Sequence, residues 1–205
     1  MKALQHPQPG DLFYIPAWNA DGTRGFVIAR HIELVPHNIG YLIEVFDRFY
    51  TEPPARMEDV DTSRRLFRPV MWSMYFPKPY PRWKILFSDP DYDKSQSDYE
   101  NIAFAFEVEV WIGGRVSPMR REAAGNIERS ICWSVDNLIS RVISHLAGIF
   151  GPDEKYDYHK LPPNLRMDRP EAYEVVEDLA LEMDQRFQVW QAEEKKRKPR
   201  STRKP

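Results

Sequence analysis

The sequence predicts an α+β fold in which an N-terminal antiparallel curved sheet, or a small β-barrel, is followed by two C-terminal helices. Between residues 10 and 114 apolar side chains alternate with polar ones at a period of two, and turn residues separate the runs. Beyond residue 128 the apolar side chains recur at steps of three and four, the period of an amphipathic helix. Strands that come first and helices that come last are typical of the α+β class.

Five short strands are predicted before residue 88. They are GDLFYIP (10–16), GFVIAR (25–30), YLIEVFDRFY (41–50), LFRPVMWSMYF (66–76) and RWKILF (82–87). Asp21-Gly22 favours a hairpin connection between the first two strands, because glycine adopts the positive φ of a tight turn. Pro69 confines the fourth strand to a sheet edge or a bulge, because proline has no N–H group to donate to a ladder.

A sixth strand is predicted at 102–114, IAFAFEVEVWIGG. Its alternation places four apolar side chains on one face: Phe104, Phe106, Val108 and Val110. The change of period after this run marks the end of the β-rich part of the chain.

Two helices are predicted in the C-terminal half. The first covers residues 128–150 and ends at Gly151-Pro152, and its apolar stripe consists of Ile131, Cys132, Val135, Leu138, Ile139, Val142, Ile143, Leu146, Ile149 and Phe150. The second begins at Arg169-Pro170, and its stripe consists of Val175, Val176, Leu179, Met183, Phe187 and Trp190.

The charge distribution divides the chain into three parts. Residues 195–205, KKRKPRSTRKP, hold seven of the 29 lysines and arginines and no acidic residue, which leaves residues 1–194 with 22 basic and 31 acidic side chains, a net charge of −9. We therefore predict a β-rich domain over 1–114, a helical extension packed on or beside it over 115–194, and a disordered basic tail over 195–205, because such a segment buries little apolar surface.

The compartment follows from what the sequence lacks. Cys132 is the only cysteine, so an intrachain disulfide and a cysteine-based zinc site are both excluded. The N-terminus has no apolar export segment, and no run approaches the roughly 18 apolar residues of a membrane span. These observations predict a cytoplasmic protein without a membrane partner.

Four segments together resemble the immunity protein 26 family of bacterial polymorphic toxin systems. They are GDLFYIP (10–16), GFVIAR (25–30), LIEVFD (42–47) and WKIL (83–86), and their order and gaps agree with the family over residues 9–105. The resemblance implies a cytoplasmic protein that binds and neutralises a cognate toxin domain without catalysis. It implies no counterpart for the helices beyond residue 120 and no particular contact residues.

The segment DPDYDKSQSDYE at 89–100 is the strongest candidate for a metal site. Its side-chain oxygens follow the spacing of an EF-hand calcium loop at Asp89, Asp91, Asp93, Ser95, Ser97 and Glu100. Lys94, however, stands where that loop requires glycine, and the preceding run is a strand. We therefore predict an acidic loop without a metal, which leaves Asp89, Asp91 and Asp93 as candidate contacts for a basic partner.

No other pattern predicts catalysis or a cofactor. The histidines are scattered at positions 6, 31, 37, 145 and 159, and none pairs at the spacing of a helical metal site. Cys132 lies on the apolar stripe of the first predicted helix, so we expect a buried small hydrophobe there instead of a nucleophile. The sequence predicts a protein that is not an enzyme.

The aromatic segment WSMYFPKPYPRWK at 72–84 leaves two interpretations open. Trp72, Tyr75 and Tyr80 could be aromatic anchors for a protein partner, as interface hot spots often are. The same segment interleaves aromatic and basic residues, so the alternative is a small barrel that stacks nucleic-acid bases. The negative charge of residues 1–194 disfavours nucleic acid, and we expect the toxin-binding function.

Overall fold

The computed structural model describes residues 2–3, 6–35, 40–125 and 127–197. It contains eleven strands and two α-helices in these ranges. In chain order they are β1 (Lys2–Ala3), β2 (Asp11–Trp18), β3 (Arg24–Val35), β4 (Gly40–Tyr50), β5 (Val70–Trp72), β6 (Lys84–Ser88), β7 (Ala103–Ala105), β8 (Glu109–Ile112), β9 (Arg115–Pro118), β10 (Glu128–Arg129), β11 (Cys132–Trp133), α1 (Val135–Leu146) and α2 (Pro170–Arg197). The predicted α+β class is confirmed.

The strands form two sheets. The larger sheet has seven strands in the order β1-β6-β2-β3-β4-β5-β11, and the smaller has four in the order β10-β7-β8-β9. The order of the larger sheet is linear, with β1 and β11 at its edges, so the described strands form an open sheet instead of the small barrel that the sequence also allowed. Register shifts in the β2–β6 and β3–β4 pairs mark bulges, which bend a sheet.

One hydrophobic core joins the larger sheet to both helices. β2 is buried along nearly its whole length, so its alternating pattern does not produce a polar face. Phe13 stacks on Trp72 and Trp83, whereas the neighbouring Tyr14 stacks on Phe187 of α2 with 4.0 Å between ring centroids. Sheet and helices therefore belong to one packed unit.

A second, smaller core lies between the two sheets. Its buried members are Ile32, Val35, Leu42 and Met71 of the larger sheet, Ile102, and Phe104 and Trp111 of the smaller one. The domain boundary predicted at residue 114 falls within the β8–β9 hairpin, where Gly113 and Gly114 form the turn with positive φ. The predicted helical extension at 115–194 thus contributes three strands as well as both helices.

Three predicted elements, two strands and the first helix, are shorter in the structure than predicted or are divided into smaller elements. In the predicted strand 66–76 only Val70–Trp72 pairs, because Pro69 precedes it and Met74 has a φ of 54°. The predicted strand at 102–114 is a hairpin of β7 and β8, and Val108, placed on a buried face by its alternation, is 71% exposed near the turn.

The helix predicted at 128–150 is limited to α1. Four of its first six residues instead form two short strands. β10 pairs with β7, and β11 pairs with β5. Gly148, with a φ of 71°, follows the end of α1 ahead of the predicted stop at Gly151. Apolar residues that recur at steps of three and four can thus extend into strand segments. Pairing with other strands in the folded chain decides whether such residues form a helix or a strand.

The second helix begins at Pro170, as its sequence predicts, but ends later than expected. It extends to Arg197, so the first three residues of the predicted disordered tail are helical. Residues 198–205 of that tail lie outside the described residues. Four side chains of its predicted apolar stripe are buried in the core: Val176, Leu179, Met183 and Phe187.

Phe187→Ala tests the stacking of α2 on β2. Because the ring is buried between Tyr14 and Phe26, we expect the substitution to lower the free energy of unfolding by about 3–5 kcal/mol. Val189→Ala, at an exposed position two residues later, is the control and should change it by less than about 0.5 kcal/mol. Urea unfolding measures both, and equal effects would show that α2 does not depend on this contact.

Candidate partner-binding surface

The acidic segment 89–100 connects the two sheets. It follows β6 of the larger sheet and precedes β7 of the smaller one. It contains the short 3₁₀ turn Lys94–Ser97 and the start of a second one, Tyr99–Asn101. We call residues 89–100 the acidic loop. Its role as a surface depends on which side chains turn inward and which remain in solvent.

Lys94, the only basic residue of the acidic loop, contacts the larger sheet, and its side chain stays partly exposed. Its ammonium group pairs with the Glu33 carboxylate on β3 and lies 4.6 Å from the centre of the Tyr99 ring. The Tyr99 hydroxyl donates to the other oxygen of Glu33. The Lys94 ammonium group is therefore paired with the sheet, and its charge also favours the charged form of the neighbouring Asp93.

Ser97 fixes the middle of the acidic loop to a buried carboxylate. Its hydroxyl donates to Glu44 Oε1 on β4 at 2.5 Å, and the Tyr92 hydroxyl lies 2.7 Å from the same serine oxygen. Glu44 is almost fully buried and pairs with Arg65 at 2.7 Å and with Arg30 at 3.3 Å. A buried carboxylate with two cations and a hydroxyl donor is compensated, whereas an isolated one would be strongly destabilising.

Gly10, the first residue of the GDLFYIP segment, lies directly against the acidic loop. Its φ is +88°, and a Cβ there would lie 2.6 Å from the Asp89 carbonyl oxygen and 2.6 Å from Tyr92 Cβ. Glycine therefore has two functions at this position, because it supplies the left-handed backbone conformation and leaves room for the loop.

The carboxylates of the acidic loop remain on the outside. Asp91 and Asp93 are exposed and Asp89 is half-buried. Backbone N–H groups satisfy two of them locally, since the N–H of Asp91 donates to Asp89 and the N–H of Ser95 donates to Asp93. Hydrogen bonds from the Ser95 side chain and from its backbone N–H lower the pKa of Asp93. Among the described residues, none of the five loop carboxylates forms an ion pair with a lysine or arginine, and with one lysine in the segment the loop has a net negative charge.

The side chains at EF-hand spacing do not converge. Lys94 and Ser97 point to the sheet, and Asp91 and Asp93 point to solvent. Across the described ranges, no group of three or more histidine, cysteine, aspartate or glutamate side chains is placed to hold a metal ion. The hydrogen bonds of Lys94 and Ser97 define this segment as a loop docked on the sheet.

The three aromatic candidates differ in exposure. Tyr75 is 69% exposed, whereas Trp72 is fully buried and stacks on Trp83 at 4.9 Å. Tyr80 is only 9% exposed. Trp72 and Tyr80 therefore cannot protrude into a partner as predicted, and Trp72 and Trp83 are not available to stack nucleic-acid bases. The segment 72–84 is aromatic because much of it packs in the core.

Cys132 is exposed, contrary to its predicted place on a buried helical stripe. It lies on the edge strand β11, and partial burial raises the pKa of its thiol. Two histidines, His31 and His145, are buried, whereas His37 lies outside the described residues. Burial, together with the nearby Arg141 cation, lowers the pKa of His145 to about 3.

Sequence reasoning missed Glu33, Glu44 and Arg65, the residues that hold the acidic loop. Only Glu44 carried a signal, since an acidic residue inside the apolar run LIEVFD predicts a buried ion pair. Its partners come from three other segments of the chain, and no spacing rule connects them.

Comparison of the chain with models of known protein families, with curated proteins and with solved structures found no match. Within the part of the chain that the structure describes, neither helix has the length and apolar character needed to cross a membrane.

Gly10→Ala should loosen the acidic loop. We expect a loss of stability larger than that of Gly22→Ala and faster amide hydrogen exchange over residues 89–101. Gly22 is a matched control because its φ is +84° and nothing lies within 4 Å of a Cβ there. Gly22→Ala therefore measures only the cost of placing alanine in the left-handed conformation, about 1–2 kcal/mol. Equal stability losses and unchanged exchange would contradict the contact between Gly10 and the loop.

His145 should make the fold sensitive to mild acid. Its pKa is about 3 when folded and about 6.5 when unfolded, so the unfolded chain binds the proton first and stability falls as pH drops below 6.5. Between pH 7 and pH 5 we expect His145→Phe to lose about 1–2 kcal/mol less stability than the wild type. His159→Phe, at an exposed position, should follow the wild type in the same urea titrations.

Proposed function

We propose that this protein is an immunity protein that binds a cognate polymorphic toxin domain and neutralises it by steric occlusion, without catalysis. The observation that carries this proposal is the acidic loop, whose carboxylates face solvent while its lysine and its central serine hold it on the larger sheet. A surface that is already ordered loses little conformational entropy on binding, which favours affinity. Its charge fits a basic partner.

The segments that carry the family resemblance also support the proposal. Four strands, β2, β3, β4 and β6, contain the segments GDLFYIP, GFVIAR, LIEVFD and WKIL, except that Gly10 and Trp83 directly precede β2 and β6. These strands are adjacent in the larger sheet, in the order β6-β2-β3-β4. Most of their side chains are buried. In this proposal the four segments form the buried framework, and the acidic loop is the exposed surface that the framework supports.

In the proposed mechanism the acidic loop accelerates the encounter with the toxin. Asp89, Asp91 and Asp93 attract a basic surface over several ångströms, and the rigid loop fixes the orientation of the encounter. Tyr75 is the remaining exposed aromatic candidate for a short-range anchor. The antidote would act in the cytoplasm, where an incoming toxin meets its target.

Co-expression in a sensitive host tests the function. The toxin domain encoded by the neighbouring open reading frame is expressed in two arms, alone and together with this protein. In the control, a catalytically inactive variant of the toxin replaces the active one. We expect survival only when this protein accompanies the active toxin, and a purified complex of the two chains. Equal killing with and without this protein would refute the proposal.

Charge reversal tests the acidic loop itself. Replacing Asp89, Asp91 and Asp93 by lysine should slow association with the toxin about tenfold or more at low salt, with a smaller change in dissociation, because exposed charges act mainly on encounter. The matched control replaces Glu171, Glu174 and Asp178, which are exposed on α2, by lysine. If both triple variants slow association equally, net charge and not the loop directs binding.

A further inference from the structure

The turn that joins β2 to β3 contains a chemically reactive dipeptide. Asp21 is the only aspartate or asparagine in the sequence that is followed by glycine. Asp21 and Gly22 are both exposed, and nothing lies within 4 Å of the position that a Cβ would take at Gly22. Because glycine has no Cβ, its backbone nitrogen can reach the side-chain carboxyl group of the residue before it without steric hindrance.

The reaction open to such a dipeptide is cyclisation to a succinimide. The Gly22 nitrogen forms a bond to the side-chain carboxyl carbon of Asp21, its N–H proton is lost, and one carboxyl oxygen leaves as water. Hydrolysis then consumes one water molecule. Cleavage of the new bond restores aspartate, whereas cleavage of the original peptide bond leaves isoaspartate, in which the main chain runs through the former side chain. The two steps need no reagent other than solvent water.

Asn19 accepts hydrogen bonds from the whole turn. The Gly22 N–H, whose nitrogen is the attacking atom, donates to the Asn19 carbonyl oxygen at 3.0 Å. Asn19 Oδ1 accepts from the N–H groups of Asp21 and Thr23, at 3.2 and 3.1 Å. Asparagine side chains commonly stabilise turns through such bonds to the backbone. One residue thus accepts from three consecutive N–H groups, and the bond from Gly22 must break before its nitrogen can react.

Thr23 keeps the Asp21 carboxyl group in its less reactive form. The Thr23 N–H donates to Asp21 Oδ1 at 2.8 Å. Hydrogen bonds from the side chain and the backbone N–H of Thr23 lower the pKa of Asp21. A neutral carboxyl group releases water on cyclisation, whereas a carboxylate has no comparable leaving group. A lower pKa therefore reduces the fraction of Asp21 that can cyclise.

We propose that Asp21-Gly22 is the principal site of isoaspartate formation in this chain, and that Asn19 slows the reaction by accepting hydrogen bonds from all three N–H groups of the turn. The dipeptide supplies the reactivity, and the closed turn limits it. Protection is lost whenever the bond between Gly22 and Asn19 opens. This modification site is independent of the proposed toxin-binding function.

Isomerisation would change the hairpin at the point where β3 begins. Isoaspartate adds one main-chain atom between Asp21 and Gly22, and the Trp18–Arg24 pair closes the hairpin directly behind this position. Arg24 also pairs with Glu182 of α2 at 2.5 Å. We therefore expect modified chains to show faster amide hydrogen exchange at Trp18 and Arg24 than unmodified chains.

Incubation of the full chain in water enriched in a heavy oxygen isotope tests the site. Each cycle of ring formation and hydrolysis introduces one heavy oxygen at the reacting aspartate, and fragment spectra of the tryptic peptide that ends at Arg24 locate it. The free peptide of residues 19–24 gives the rate without the folded turn. Because a hydrogen bond corresponds to a factor of roughly five in an equilibrium, we expect the folded chain to react at least about fivefold more slowly than this peptide.

Three variants isolate the contribution of Asn19. Asn19→Ala removes the side-chain acceptor and should accelerate labelling of Asp21 about fivefold. Asn19→Asp keeps an oxygen acceptor at this position and should recover most of the protection. Asn164→Ala, at an exposed position in another loop, is the matched control and should leave the rate unchanged. The melting temperature of each variant is measured beside the labelling, so that rates are compared among folded chains.

Three results would overturn the proposal. Equal labelling rates in the folded chain and in the free peptide would show that the turn gives no protection. Equal rates in Asn19→Ala and Asn164→Ala would exclude a role for the Asn19 side chain. Faster labelling of another aspartate in the wild-type chain would show that Asp21-Gly22 is not its principal site.

Discussion

The buried carboxylate of Glu44 is the interaction on which the arrangement of the molecule depends. It lies in the middle of β4, where a charge without partners would be costly, and it is stabilised by Arg30, Arg65 and Ser97 from three different segments. These contacts bring the acidic loop down onto the larger sheet. Because β7 follows that loop, the same contacts also determine where the smaller sheet begins.

A second buried ion pair has the corresponding role on the other side of the molecule. Arg141 of α1 lies among the rings of Phe67, Trp133 and Tyr156, at 4.6–5.4 Å, and its charge is matched by Glu128 of β10. The pair connects the smaller sheet to the helical layer. Direct contact between the two sheets is apolar and involves Phe104 and Trp111 of the smaller sheet.

Long, strongly periodic segments were predictable from the sequence, and short ones were not. The position of α2 followed from Pro170 and a regular apolar stripe, and β2, β3 and β4 followed from long alternating runs with Asp-Gly between the first two. Two-residue strands such as β10 and β11 have no period of their own, because their pairing with β7 and β5 exists only in the folded chain.

The candidate surface was predictable only in part for a related reason. Composition identified the carboxylates of the acidic loop, whereas the contact of Lys94 with Glu33 on β3 had no signal in the sequence. Exposure of the aromatic residues was not predictable, because both faces of the central strands are buried and alternation then says nothing about which ring reaches solvent. Trp72 and Tyr75, three positions apart, have opposite environments.

The residues that attach the acidic loop to the sheet differ from those whose carboxylates face solvent, and this separation has an evolutionary consequence. Its attachment to the sheet uses Tyr92, Lys94, Ser97 and Tyr99, together with the space left by Gly10. The carboxylates of Asp89 and Asp93 accept hydrogen bonds only from within the loop itself. Substitutions at Asp89, Asp91 and Asp93 can therefore accumulate while the attachment is kept, so that one scaffold can acquire new recognition properties without a loss of folding.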